Sequence, residues 1–293
     1  MRYAMFTIEK ILLPVDFQDV SKPLIHQAAV LARHFHSEIV MLHVLTPLSF
    51  AAGMLEGSYV PSSITDLQAE LLRQAQKNLN QFLAVELSGL VVKRLLLEGE
   101  PARTIVQSAD QEKAGLIIMP THGYRAFRRF LLGSVTAKVL HDSQCPVWTG
   151  AHLEQPPTRA FAVRNIVCAI DLNEHSRKTI QWAAHFAAAF QAGLTLIHIT
   201  PGVEPYAAGG YVVEPAWNET LLNCATADIA ELQKEIGTSA KVAVESGEVA
   251  EHLDQAAQRA AADVLIIGRP TSGRLRATGY AIIRESHVPV LSV

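Results

Sequence analysis

Cysteine is nearly missing from this chain: Cys145, Cys168 and Cys224 are the three in 293 residues, an odd number, widely spaced and without any C-x-x-C. A disulfide framework or a zinc ribbon needs more thiols at closer spacing, so neither is expected to organise the fold. Charge is also sparse, at 18% of residues against 49% hydrophobic. Such a chain has the material for a sizeable core and does not read as disordered. The 25 Lys and Arg against 28 Asp and Glu leave a net charge of -3, so no overall basic field exists to hold nucleic acid or an anionic membrane, and neither partner is expected. No run approaches the roughly 18 apolar residues that span a bilayer. Residues 1–10 hold no apolar stretch of signal-peptide length, so a cytoplasmic location is expected. Chemical motifs are missing too. No Gly is followed by Lys, and G-x-G, G-x-S-x-G and H-E-x-x-H do not occur, which leaves a Walker A loop, a dinucleotide fingerprint, a hydrolase triad and a zinc protease without a basis.

What the chain does have is a repeat, and a length that at about 150 residues per domain suits two domains. Lys10-Ile11-Leu12-Leu13-Pro14-Val15-Asp16 is answered by Asn165-Ile166-Val167-Cys168-Ala169-Ile170-Asp171, an offset of 171 minus 16, or 155. At the same offset Glu38–Val44 is answered by Gly193–Ile199, each with a His one place before the end. Gly99-Glu100-Pro101-Ala102 then matches Gly247-Glu248-Val249-Ala250 at an offset of 148, and Cys145-Pro146-Val147 matches Val288-Pro289-Val290 at 143. The second copy has therefore lost seven residues before its Gly-Glu and five after it. The expected domains are residues 1–150 and 161–293, with the polar, Pro156-Pro157-containing stretch 151–160 as linker.

Each copy alternates strands with helices. The apolar runs Ile11–Val15, Ile39–Val44, Val91–Leu97, Leu116–Met119 and Val147–Thr149 show no in-out alternation, as in strands buried on both faces of a parallel sheet. Ser21–Phe35 carries an apolar stripe at helical spacing, and Thr65–Leu87 carries another behind a Thr65/Gln68 pair at capping-box spacing. Pro101 suits a first helical turn. The second copy repeats this scheme with Trp182 and Phe186 in its first helix and Ala225 and Ile229 in its second.

In an open parallel sheet, ligands lie beyond the carboxyl ends of the strands. In the first copy those ends carry Asp16, Val44 and the segment from Met119 to Ser134. Gly123 and Gly133 allow close backbone approach, and Ser134 is placed to cap a helix from Val135 to His141 whose first N–H groups would face an anion. A helix end is worth only about 0.3–2 kcal/mol to an anion. A triphosphate needs more, and Arg125, Arg128 and Arg129 are candidates to supply it. A solvated basic turn is the competing reading.

These residues resemble the universal stress protein family. The likeness rests on Pro14-Val15-Asp16, on His43-Val44, and on Thr121-His122-Gly123 followed after nine residues by Gly133-Ser134, against the family signature G-x2-G-x9-G-[S/T]. It covers both copies and implies a tandem member: two open, doubly wound, five-stranded parallel α/β sheets of the Rossmann-like, adenine nucleotide alpha hydrolase-like kind, related by a pseudo-two-fold axis. It implies ATP, with Mg2+, as ligand. Pro14, Val15, Asp16 and Val44 would hold the nucleoside, and Met119, Pro120, His122, Gly123, Arg125, Gly133, Ser134 and Val135 the ribose and phosphates.

Two departures stand out. Pro120 occupies the first glycine of the signature, and proline has neither an N–H nor access to positive φ. If the position needs either, binding suffers; if it needs only a small contact, Pro120 is harmless. The second copy departs further, with Thr271 at the second glycine and Arg276-Ala277 at Gly-Ser. There Asp171 is either a ligand or a helix-capping residue, and Arg269, Arg274, Arg276 and Arg284 either bind an unrelated anion or are solvated. His43 and His198 lie inside apolar strands, and no metal site is expected. The expected function is a stress-response protein that binds ATP in its first domain and regulates rather than catalyses, because no residue near the loop looks like a dedicated base; any hydrolysis would be slow. The alternative is a nucleotide-free scaffold, in which the final strands pair so that the halves form a pseudo-dimer, with a homodimer as a further option. An adenylyl transferase lacks its extra motif.

Overall fold

The computed structural model describes residues 6–17, 22–48, 62–121, 132–150, 161–200, 206–207, 211–212, 215–270, 275 and 277–293. The chain divides into two compact units, built mainly on Thr7–Arg128 with Gly133–Trp148 and on Thr149–Val293. The expected linker, 151–160, lies outside the described residues.

The first unit runs β1 (Lys10–Pro14), α1 (Lys22–Phe35), β2 (Glu38–Leu45), α2 (Ser62–Gln81), β3 (Val92–Glu98), α3 (Pro101–Glu112), β4 (Leu116–Met119), α4 (Ser134–Asp142) and β5 (Val147–Thr149). Its strands lie in the order β3-β2-β1-β4-β5, with β1 parallel to both β2 and β4 and β2 parallel to β3. Ile11, Leu12 and Leu13 are all fully buried, which successive residues of a strand achieve only when both faces are covered. The core therefore sits between the central strands and the helices on either side. Trp148 is completely buried, and its Nε1–H donates to Oε1 of the equally buried Gln27 at 2.9 Å.

The second unit repeats the plan: β6 (Asn165–Ala169), α5 (Ser176–Phe190), β7 (Gly193–Thr200), a short antiparallel pair β8 (Tyr206–Ala207) and β9 (Tyr211–Val212), α6 (Pro215–Ile236), β10 (Lys241–Ser246), α7 (Val249–Arg259), β11 (Val264–Ile267), α8 (Ala277–Glu285) and β12 (Val290–Ser292). Its strand order is β10-β7-β6-β11-β12, again with parallel pairs.

Backbone geometry repeats at the sequence offsets. Left-handed residues fall at Phe17 and Leu172, at His36 and Gln191, at Lys113 and Ala261, and at Gly99 and Gly247. Gly99 and Gly247, at φ 154° and 150°, need glycine: a Cβ would lie 2.5 Å from Thr104 Oγ1 in one unit and 2.2 Å from the His252 ring in the other. Each is followed by a glutamate that caps the next helix. Glu100 accepts from the N–H groups of Ala102 and Arg103, and Glu248 from that of Glu251.

The boundaries of α2 differ from the sequence reading. The helix spans Ser62–Gln81, so Thr65 lies inside it rather than at its cap. The left-handed Leu83 (φ 53°) stops it well short of Leu87. Gln68 serves elsewhere, accepting from the Leu48 N–H at 3.0 Å and donating to Glu98 at 2.6 Å. At the amino ends of the strands, Lys10 and Lys93 converge on Glu112 at 3.2 and 2.8 Å. The Lys93 ammonium holds the Glu112 carboxyl below the usual carboxylate range, and Glu112 in turn raises Lys10.

Candidate functional site

The carboxyl ends of β1, β2 and β4 are neighbours in the first sheet, and each carries a residue singled out by the sequence. Val15 extends the β1 ladder by one bond, donating its N–H to Leu42 at 2.8 Å. Its carbonyl accepts from Nδ1 of His43 at 2.7 Å. Since a carbonyl cannot donate, His43 carries its proton on Nδ1. This bond fastens the end of β1 to the end of β2, where Val44 pairs with Leu97. Asp16 follows, exposed at the tip. The chain then turns through the left-handed Phe17, whose ring lies 4.0 Å from that of His43. The His43 brace was invisible to single-copy reasoning, which offered only metal ligation or burial. The signal that could have found it is the repeat itself, because His198 donates to Ile170 in the same way at 2.8 Å.

On the other side of Asp16, Met119 ends β4 in the core and Pro120 follows half-buried. The Pro120 carbonyl accepts from the Thr136 hydroxyl at 2.9 Å, and the Gly133 N–H donates to the Thr121 carbonyl at 2.7 Å. Both ends of the intervening loop are therefore tied to the start of α4. The loop itself, with His122, Gly123, Arg125, Arg128 and Arg129, lies outside the described residues. The cap of α4 is Gly133, with φ -60° and ψ 141°, and no side chain bonds there. Ser134 is thus the first helical residue rather than the cap, because Gly133 already supplies the extended backbone a cap requires. Gly133 brings no side chain to the first-turn N–H groups, and Ser134 is exposed beside them. Lys138, one turn on, reaches Glu100 at 3.2 Å; this bond and the Arg103 N–H hold the Glu100 carboxyl below its ordinary range.

The second unit bears on the backbone conformation at Pro120. Gly268 stands at the matching position (120 plus the offset of 148) with no left-handed φ, and a Cβ on it would lie 2.4 Å from Thr179 Oγ1. Glycine is needed there for space, beside Thr179. The counterpart of Pro120 therefore takes no left-handed φ, the conformation proline could not adopt.

A comparison with known proteins accounts for nearly the whole chain. The model of the universal stress protein family matches twice, at residues 7–149 and 162–293. The chain belongs to the universal stress protein family. A universal stress protein of Methanocaldococcus jannaschii is 34% identical over 139 residues, 47% of this chain and 79% of that one. Universal stress protein YxiE of Bacillus subtilis is 30% identical over 141 residues, 47% of this chain and 95% of its own length. The crystal structure of a universal stress protein from Archaeoglobus fulgidus covers 97% of this chain and 95% of its own with a TM-score of 0.65 at 20% identity, a likeness of fold.

The second universal stress protein repeat is built differently at the same place. Asp171 stands before α5, where its carboxylate accepts from Asn173 Nδ2 at 2.5 Å and from the Ser176 hydroxyl at 3.2 Å, while the helix cap, His175, makes no side-chain cap bond. The Arg269 N–H donates to Val293 at 2.7 Å, and Arg284 pairs with Glu285 at 2.7 Å. Thr271, Arg274 and Arg276 lie outside the described residues. A cavity of about 240 Å³ opens beyond β6, β7 and β11 and is lined by Asp171, Ser176, Thr179, His198 and Leu275 among others. Among the described residues, no three His, Cys, Asp or Glu side chains gather to hold a metal, and no helix is long and apolar enough to cross a membrane. Burial pushes the Cys168 thiol up to about 12, which makes it inert.

Proposed function

We propose that the first universal stress protein repeat binds ATP, with Mg2+, and that the protein regulates rather than catalyses. The observation that carries this reading is the start of α4. It opens directly beyond β4 with a glycine cap that brings no side chain, beside the braced ends of β1 and β2. First-turn N–H groups and the positive helix end suit a phosphate, while an exposed carboxylate at Asp16 suits hydrogen bonds from a ribose or base. In this reading Pro14, Val15, Asp16 and Val44 hold the nucleoside. Met119, Pro120, Gly133, Ser134 and Val135 line the ribose and phosphates with the loop residues His122, Gly123 and Arg125. The residues present fit the group: Gly133 brings no side chain to the helix end, and the Ser134 hydroxyl is exposed beside it. Bound Mg2+ would offset phosphate charge.

Isothermal titration of the full chain with Mg-ATP tests the reading. The wild type is expected to bind with one site per chain, and Gly133→Asp, which places a carboxylate where phosphate oxygens would lie, to lose at least tenfold in affinity, about 1.4 kcal/mol. Absence of heat from the wild type, with no change in melting temperature on adding ATP, would leave the scaffold role in its place.

A further inference from the structure

We infer that Lys138 is the residue by which the first repeat selects phosphorylated over plain nucleosides: without ligand it is held by Glu100, and with nucleotide bound it turns to the phosphates at the start of α4. This rests on the ATP reading above and adds a charge-sensing side chain to that site. Ser134 opens α4 and Lys138 follows it by four residues, both exposed, so they stand on one helix face a turn apart. Their Cα atoms are separated by a rise of about 6 Å, and helical side chains lean toward the N-terminus, so a lysine chain is long enough to reach the level of the first-turn N–H groups. An ammonium there adds a charge-assisted bond to whatever those groups hold.

Glu100 is fixed and the lysine is not. The Glu100 carboxylate accepts from the N–H groups of Ala102 at 3.4 Å and Arg103 at 2.9 Å, and the preceding Gly99 donates its N–H to Leu45 at 3.1 Å. The start of α4 is tied as well, by the Thr136 hydroxyl to Pro120 and the Gly133 N–H to Thr121. Lys138 reaches Glu100 at 3.2 Å with 52% of its side chain exposed. An ion pair this open is worth no more than a few-fold in an equilibrium constant, so a multiply charged phosphate chain competes for the ammonium.

The second repeat is an internal control. Its α8 aligns with α4 at the offset of 143, and the hydroxyls of Ser143 and Ser286 each donate to the carbonyl two residues on. There Ala277 replaces Ser134 and Ala281 replaces Lys138, while Glu248 keeps the capping role of Glu100. The matching helices α7 and α8 pack against each other as α3 and α4 do. A lysine that served only to brace two packed helices would suit both repeats. This one stands only where the Gly-Ser pair stands.

Isothermal titration of the full chain with Mg-ATP and with adenosine gives the ratio of the two affinities, and thermal melts show that each variant is folded. Lys138→Met is expected to lower the ratio about three- to tenfold, and Lys138→Arg to keep most of it. Glu100→Gln retains an oxygen for the α3 cap and loosens the lysine, so it should raise the ratio about two- to fivefold. In the Lys138→Met background the same Glu100→Gln change should leave the ratio unchanged, because Glu100 acts through the lysine. A wild-type ratio in Lys138→Met would overturn the proposal, and so would a Glu100→Gln gain that survives in the double variant; either result leaves ATP binding by the wild type standing. Absence of ATP binding by the wild type removes the ATP reading and this proposal with it.

Discussion

Replacing His43 tests whether the repeat's paired histidines hold the strand ends together. The His43 Nδ1–H to Val15 carbonyl bond is 2.7 Å long, and Val15 is 7% exposed, so water does not easily take the place of the imidazole. Leucine at this position fills similar space but leaves the carbonyl without its donor, at a cost of about 1–3 kcal/mol. Lost ring contact with Phe17 adds roughly 0.5 kcal/mol or more. For a unit of this size each kcal/mol lowers Tm by about 4 °C, so His43→Leu should melt roughly 6–14 °C below wild type. The geometry makes a sharper distinction. The side-chain amide nitrogen of Asn is placed, like Nδ1, two bonds from Cβ, whereas that of Gln is one bond further out. His43→Asn should therefore recover about 1 kcal/mol relative to leucine, and His43→Gln should not. Thermal and urea unfolding followed by circular dichroism read both. A leucine variant within about 0.5 kcal/mol of wild type, or glutamine matching asparagine, would refute the brace. The equivalent His198 variants should rank in the same order, since Ile170 is 6% exposed and its bond is 2.8 Å.

Two further outcomes follow from single contacts. Gly247→Ala must place a methyl 2.2 Å from the His252 ring at φ 150°, so it should destabilise by about 2 kcal/mol or more, read as a shift in urea midpoint; His252→Ala in the same chain relieves the clash but not the backbone strain and should recover only part. Glu112 has a lowered pKa, so its contribution is present above about 4.5, its ordinary value, and is lost as pH falls through the folded-state value. Glu112→Gln should accordingly lower the urea midpoint at pH 7, and the gap between variant and wild type should close as the pH is taken below about 4.5.

Much of the fold was legible because its strands are buried on both faces. Continuous apolar runs such as Leu116–Met119 and Val147–Thr149 have no other comfortable environment in a charge-poor chain, and their observed limits match the reading. Helix ends were less legible. The Thr65/Gln68 spacing imitates a cap, but Gln68 makes its bonds with Leu48 and Glu98, residues that only the folded chain brings near. Ser134 misled for a similar reason: a serine after a glycine fits a cap by composition, and backbone dihedrals gave that place to Gly133.

The repeat, the two α/β units and the family were set by the order of residues alone, since hydrophobic period and glycine spacing are properties of the chain. The offset of 155 even carried the matching His43 and His198 bonds. What the tertiary structure alone decided is how each strand end is used. It turns the Asp171 carboxylate onto Asn173 and Ser176, gives Gly268, the counterpart of Pro120, no left-handed backbone, and turns Leu275 inward to line a small cavity. These outcomes depend on which side chains from distant elements meet.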